Sequence, residues 1–447
     1  MNTINLSNKV LPAKPHRSLQ FEDYKTLSLA ALGGALEFYD FIIFVFFAPV
    51  IGQLFFPPGV PDWLRQLQTF GIFAAGYVAR PIGGIVLAHF GDLSGRKRMF
   101  MLSVLMMAVP TLLMGLAPTY ADWGVSAPVL LLVLRILQGA AVGGEVPGAW
   151  VFVSEHVPRR HVGYACGILT AGLTGGILLG SLISAAIHSR YSHNEVSAYA
   201  WRIPFLIGGV FGIISVYLRR WLHETPVFAE LKLTRSLAAE IPLKAVLRDH
   251  GAAVVVSVVL TWMLSADIVV VILMTPQLLQ MQTHLSAETT LLANCAATLC
   301  LSIGCVLAGW FAGRFGSRKT IFISQIALAV CYYATFHASG AHSALLISLY
   351  AVTGLTVGGV AVVPLVMVSM FPAAVRFSGI SFSYNLSYAV FGGLTPIAVA
   401  LLMKWNPHAP VVYVVVLGLI GILTIPFIKD GPRVVATASD SDAAAAR

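Results

Sequence analysis

Long apolar runs separated by short polar ones set the rhythm of this chain. Residues 128–154, PVLLLVLRILQGAAVGGEVPGAWVFVS, are typical. About 20 apolar residues carry a helix across the hydrocarbon of a bilayer, and such runs recur along the whole length. They predict spans near 27–51, 67–90, 97–118, 128–154, 163–188 and 201–219, then 251–274, 288–312, 319–338, 343–369, 378–403 and 410–428. The longest polar connection, 220–250, carries Arg220, Lys232, Arg235, Lys244 and Arg248 and divides the chain in the middle. The expectation is an all-α integral membrane protein of about twelve transmembrane helices. Its parts are an N-terminal tail (1–26), a six-helix bundle (27–219), a linker (220–250), a second six-helix bundle (251–428) and a C-terminal tail (429–447).

Composition strengthens this reading. Of the 447 residues 57% are hydrophobic and 11% charged, where soluble domains carry roughly 25% charge. With a mean hydropathy of +0.83, the chain cannot clothe itself in a polar surface. The net charge of +9 suggests nucleic acid until its placement is considered. Most Lys and Arg fall in loops on one side, leaving Arg65, Arg190, Arg202 and Lys404 on the other. That asymmetry predicts cytoplasmic termini and lipid headgroups as the basic loops' partners, with no nucleic acid. The first 26 residues lack the apolar core and small-residue site of a cleaved leader. The five cysteines lie in apolar runs, as small buried hydrophobes do, so neither metal nor disulfide chemistry is expected.

Two internal echoes point to duplicated halves. GDLSGRKR (91–98) recurs as GRFGSRK (313–319), and QGAAVGGEVPGAWVFVSE (138–155) aligns with TGLTVGGVAVVPLVMVSM (353–370). In this register Arg135 meets Tyr350, Glu145 meets Val360, Glu155 meets Met370 and Asp92 meets Gly313. The first half keeps charges that the second lacks, which assigns ion chemistry to the first half.

A charge at mid-span costs about 2.5–3.5 kcal/mol on insertion scales, so the few present are informative. Glu37, Asp40, Arg80, Arg135 and Glu145 are the mid-span charges of the first half. Glu37 and Asp40 share one helix face, as do Arg135, Gln138 and Glu145. Three acids against two arginines leave one acid without a fixed partner, able to take up a proton reversibly. Asp40 is the first choice and Glu37 the second, with Arg135 competing for them and Glu145 completing the group. The bland alternative is a permanent salt-bridge network. Asp267, the mid-span acid of the second half, is expected to face a water-filled vestibule. Arg80 and Arg135 are candidate carboxylate anchors, because a guanidinium grips a carboxylate in a fixed fork. Tyr39 and Gln138 are candidate substrate contacts beside them. The polar face Ser381, Tyr384, Asn385 and Tyr388, with Trp262, Asn294 and Gln277, forms the expected second-half wall of the cavity. Asp92, Gly95, Arg96, Lys97 and Glu155 are the expected cytoplasmic gate, with Glu155 accepting Arg96. No nucleophile–base pair, metal cluster or phosphate loop is present in the sequence, so neither an enzyme nor a cofactor is expected.

These residues also carry a resemblance. EFYDF (37–41), ARPIGG (79–84), GDLSGRKR, RILQGAAVGGE (135–145), WRIPFLIGG (201–209), HETPVF (223–228) and FPAAVRFSGISFSYNLSYAVFGG (371–393) resemble the metabolite:proton symporter family of the major facilitator superfamily. The resemblance implies two six-helix halves, alternating access and a substrate site between halves. It also implies gate roles for Asp92, Gly95, Arg96 and Lys97, and a proton-transfer role for the motif opening at Arg135 and Gln138. Ala88, Leu93, Val146, Pro147 and Phe38 depart from the family pattern. The family's substrates are mainly organic acids and dicarboxylates, with zwitterionic osmolytes such as proline and betaine besides. Osmosensory members end in a long heptad-bearing helix, and the tail 430–447 is too short and unpatterned for one. The expectation is therefore proton-coupled import of a small organic acid through an inner membrane, by a chain that suffices as a monomer. A passive facilitator and a zwitterion symporter are the alternatives.

Overall fold

A backbone in hydrocarbon must satisfy its own N–H and C=O groups, which leaves each long apolar run to become a helix. The computed structural model describes residues 18–94, 96–219, 242–283, 285–338, 343–372 and 375–428. Among them the spans are α1 (Phe21–Phe46), α2 (Asp62–Ser94), α3 (Arg96–Leu116), α4 (Ser126–His156), α5 (Val162–Arg190) and α6 (Arg202–Arg219). In the second half α7 joins Gly251–Ala266, a π-helical stretch Asp267–Met274, and Thr275–Thr283. Then come α8 (Ala287–Phe315), α9 (Ser317–His337), and α10, built of Ser343–Val357, Gly358–Ala361 and Val362–Met370. Last are α11 (Arg376–Ser387, π-helical Tyr388–Gly392, Gly393–Met403) and α12 (Ala409–Leu423).

Ten described helices are long and apolar enough to cross a membrane, and an eleventh crossing joins His193–Ala200 to α6 through a 45° bend. The apolar part of α3, Leu102–Leu116, stands where the third span is predicted. The first predicted span runs on to residue 51, but α1 stops at Phe46 and a short helix, Ala48–Phe55, follows with Pro49 in its first turn. Proline lacks the N–H that would continue the ladder. Of the linker, Pro242–Asp249 is helical, and 220–241, including HETPVF, lies outside the described residues.

Each half is held together internally by contacts of the same kind at matching places. Where α4 crosses α2, a Cβ at Gly139 or Gly143 would run into the backbone of Gly76 or Arg80. Where α10 crosses α8, Gly354 and Gly358 meet the backbone of Ala297 and Gly304 in the same way. Only glycine permits that approach. Arg135 donates from Nη1 to the Phe41 carbonyl of α1 at 3.0 Å; Tyr350, its counterpart, donates to the Val271 carbonyl of α7 at 2.7 Å. Gln138 reaches Thr111 of α3 at 2.7 Å, and Thr353 reaches Thr335 of α9 at 2.8 Å.

Between the halves run two seams. On one side α5 lies along α8, with Asn294 Nδ2 donating to Ser181 Oγ at 2.7 Å and Thr174 bonded to Ser302 at 2.8 Å. On the other, α11 packs on α2 and α4: Tyr388 stacks on Tyr77 at 5.3 Å, and Trp150 meets the edge of Tyr384 at 4.9 Å. The face on which α1 begins is closed by Arg376 Nη1 of α11, 3.6 Å from Glu155 Oε1 of α4. At the opposite face Lys404 lies over the Trp63 ring at 4.9 Å.

Candidate substrate and proton site

At the α2–α11 seam Arg80 is fully buried in a box of rings. Its Cζ lies 4.3 Å from the Tyr77 centroid, 4.7 Å from Phe41 and 4.7 Å from Tyr388. None of its three nitrogens has a hydrogen-bond partner. The box draws on α1, α2 and α11 and so belongs to both halves. Next to it, Asn385 Nδ2 donates to the Gly143 carbonyl at 2.6 Å and to Ser381 Oγ at 3.2 Å. Tyr384 and Tyr388 lie 4.7 Å apart, extending the aromatic wall to Trp150. Rings of this kind attract a cation by their quadrupole, and the attraction strengthens once water is excluded.

Arg135 is also caged, with Phe41 at 4.3 Å, Phe44 at 4.6 Å and Phe73 at 5.4 Å. Unlike Arg80 it makes hydrogen bonds, both from Nη1, to the Phe41 carbonyl and to Gln138 Oε1 at 2.8 Å, while its Nε and Nη2 have no partner. Gln138 in turn reaches the main-chain carbonyl of Asp40 at 3.5 Å. Arg135 therefore does not contend for the acids, as charge counting suggests; its hydrogen bonds go to neutral oxygens. Glu145 is buried on α4, two residues beyond Gly143.

The acids of α1 face the other way. Asp40 packs against Gly208 and Gly212 of α6, near the Thr111 methyl of α3, and neither carboxylate oxygen has a hydrogen-bond partner. Glu37 Oε1 accepts from Ser215 of α6 at 2.9 Å. Tyr39 donates to the Pro204 carbonyl at 2.8 Å. These three thus sit inside the first half, on the outer side of α1. The Tyr39 hydroxyl is engaged within its own bundle.

Several second-half expectations are corrected too. Trp262 stacks on Phe391 at 3.9 Å and donates to Tyr413 of α12 at 3.2 Å, so it braces the second bundle instead of lining its inner wall. Asn294 donates to Ser181 and accepts at Oδ1 from Tyr350 at 2.9 Å, and so joins the halves. Asp267 faces no vestibule. It is fully buried, and its Oδ2 accepts from Gln325 Nε2 of α9 at 2.8 Å. Of the gate, Gly95 and the side chains of Asp92, Arg96 and Lys97 lie outside the described residues, whereas Glu155 is seen with Arg376. Phe41, Tyr77 and Trp150 were not among the sequence candidates. Apolar rings in an apolar span carry no signal of their own; the nearest clue is Tyr77, one turn before Arg80.

Comparison with known proteins adds four findings. The family model of the Major Facilitator Superfamily matches residues 30–371. A glycine betaine/proline/ectoine/pipecolic acid transporter, OusA of Dickeya dadantii (strain 3937), is 28% identical over 91% of this chain and 83% of its own. The proline/betaine transporter of Escherichia coli (strain K12) is 28% identical over 90% and 82%. Among solved structures, the proton:xylose symporter XylE superposes with a TM-score of 0.74 at 16% identity, covering 91% of this chain and 96% of that one. At that identity the likeness speaks for the fold alone.

Proposed function

The chain belongs to the Major Facilitator Superfamily, and from that membership we propose a proton-coupled symporter that imports a small zwitterionic carboxylate of the proline or betaine kind. The observation that carries this reading is Arg80, buried with three unbonded nitrogens inside a box of aromatic rings between the halves. A guanidinium so placed offers its fork to one carboxylate. The faces of Tyr388, Tyr384 and Trp150 then receive an ammonium or quaternary ammonium group. A zwitterion fits because its two charges find complementary partners a few ångströms apart.

The second buried guanidinium, Arg135, is held through Nη1 by Phe41 and Gln138 within the first half, with Nε and Nη2 unbonded. We set the organic-acid expectation behind its alternative because the relatives are named for proline and betaine.

The proton carrier in this reading is Asp40. A carboxylate with no hydrogen-bond partner, set against glycines in a low-dielectric bundle, is costly when charged and tolerable when protonated. Coupling runs through the next residue. The Phe41 ring touches both arginines, and its carbonyl holds Arg135. Protonation of Asp40 shifts this part of α1, which changes how Arg80 is boxed. We further place both termini in the cytoplasm of a bacterial-type cell and take the monomer as the working unit.

The test uses purified protein in proteoliposomes, with proline, glycine betaine and a series of dicarboxylates. Uptake of a zwitterion with lumen acidification is expected. Asp40→Asn should abolish uphill accumulation yet keep exchange of internal for external substrate. Uptake confined to dicarboxylates would overturn the substrate assignment, and transport without any proton signal would leave a passive facilitator.

A further inference from the structure

We propose that Asp267 is a second proton-binding site, lodged in the half of the molecule that the sequence pattern assigns to neutral contacts. This inference rests on the symport reading above and extends it, from one proton site to two.

Asp267 occupies in the second half the place that the α1 acids hold in the first. Glu37 and Asp40 turn from the substrate box toward α6 and α3, where Ser215, Gly208, Gly212 and Thr111 meet them. Asp267 turns toward α9 and α12, where Gln325 bonds it and Gly418 backs Gln325. The bonds of Arg135 and Tyr350 to α1 and α7 set the two helices in equivalent positions. A buried acid braced by one neutral polar side chain is therefore a feature of both bundles.

The surroundings select a proton over a metal cation. Hard cations are held by several converging oxygens, and two main-chain carbonyls of this stretch already accept hydrogen bonds. The Val270 carbonyl accepts from Thr275 at 2.9 Å, and the Val271 carbonyl accepts from Tyr350. Gln325 presents an N–H to the carboxylate. Asp267 Oδ1 is fully enclosed without a hydrogen-bond partner. Of the titratable groups on neighbouring elements, Tyr332 of α9 is engaged with Thr275, Tyr350 of α10 with α7 and Asn294, and Tyr413 of α12 with Trp262. Tyr384 and Tyr388 of α11 pack on one another, and the bases of α9, Arg318, Lys319 and His337, stand at its ends. Among the described residues no arginine, lysine or histidine forms an ion pair with Asp267. The charge of this carboxylate is then balanced only by a proton at Oδ1.

Its position explains how that proton could come and go. Asp267 opens the π-helical stretch Asp267–Met274. π-Helical segments are rare and are found frequently at functional sites. A register shift there alternately buries Asp267 and opens it to water. The proton is bound and released without any covalent change.

Proton-to-substrate ratios in proteoliposomes decide the matter, with radiolabelled proline or glycine betaine as substrate. With two sites, a tenfold proton gradient sustains about 100-fold accumulation of a neutral zwitterion, and with one about tenfold. Asp267→Asn is expected to lower the limit from the first value to the second while exchange persists, and Asp267→Glu to restore it. An unchanged ratio in Asp267→Asn overturns the proposal and leaves Asp40 coupling standing; a wild type that moves no protons sinks the symport reading itself. Should Asp267→Asn lose all transport, infrared difference spectra between acid and alkaline pH take over. A protonated-carboxyl band that moves in Asp267→Glu supports the site, and a band that stays overturns it.

Discussion

At the scale of single residues, the contrast between Arg80 and Arg135 carries most of the chemistry. Both are fully buried, and both lie against Phe41. Hydrogen bonding separates them: Arg135 is tied to a carbonyl and an amide, and Arg80 to neither. Lysine keeps the charge but not the fork. Arg80→Lys should therefore raise the KM for substrate uptake by about tenfold or more, with the protein still folded and inserted. Arg135→Lys should act chiefly on assembly, seen as a lower Tm in detergent with little change in KM for the surviving fraction. The positions of both arginines were legible from the sequence, because a charge in an apolar run announces itself. Their division of labour was not, since it depends on which neighbours hold the hydrogen-bond partners. The aromatic box was silent for the opposite reason, as Phe41, Tyr77 and Trp150 match the apolar background in which they sit.

At the scale of helices, the close crossings are the most exacting feature. Gly143 of α4 meets the backbone of Arg80, whereas the neighbouring Gly144 would bring a Cβ within only 3.3 Å of the Leu87 side chain. Backbone cannot move aside as a side chain can. Gly143→Ala should cost about 1–3 kcal/mol as overpacking, visible as a clear drop in Tm, and Gly144→Ala should cost much less. The span pattern was readable nearly to the residue along most of the chain, because hydrocarbon thickness fixes helix length. What the pattern could not supply was orientation about each helix axis. Glu37, Tyr39 and Asp40 fall on the outer side of α1, and the alternative, toward the cavity, has the same spacing. The π-helical stretches of α7 and α11 leave no mark in composition either.

At the scale of the whole molecule, the polar contacts seen among the described residues of the closed face centre on Arg376. Arg376 meets Glu155 and also donates to the carbonyls of Val368 and Phe371. A half-buried pair of this kind contributes modestly. Glu155→Gln should move the balance toward the form open at that face by about tenfold at most, read as a lengthened distance between spin labels on the neighbouring ends of α4 and α11. No change in that distance would mean that the aromatic and glycine packing of the seam alone sets the balance. The two-half design was evident from the internal echoes, whereas the contact of Glu155 with Arg376 was not, because Arg376 lies in a motif far along the chain.

The paired bonds of Arg135 and Tyr350 also bear on how two copies of one ancestral half could drift apart. Each side chain does the same mechanical job, donating a hydrogen bond to a carbonyl on the first helix of its own bundle. That job requires a donor of sufficient reach, and a positive charge is incidental to it. A copy could therefore exchange guanidinium for phenol without losing its scaffold, so that one half retained ionic machinery while its twin became largely neutral. Repeat proteins built this way can redistribute charge between copies at small structural cost, provided each lost cation leaves an O–H or N–H in its place.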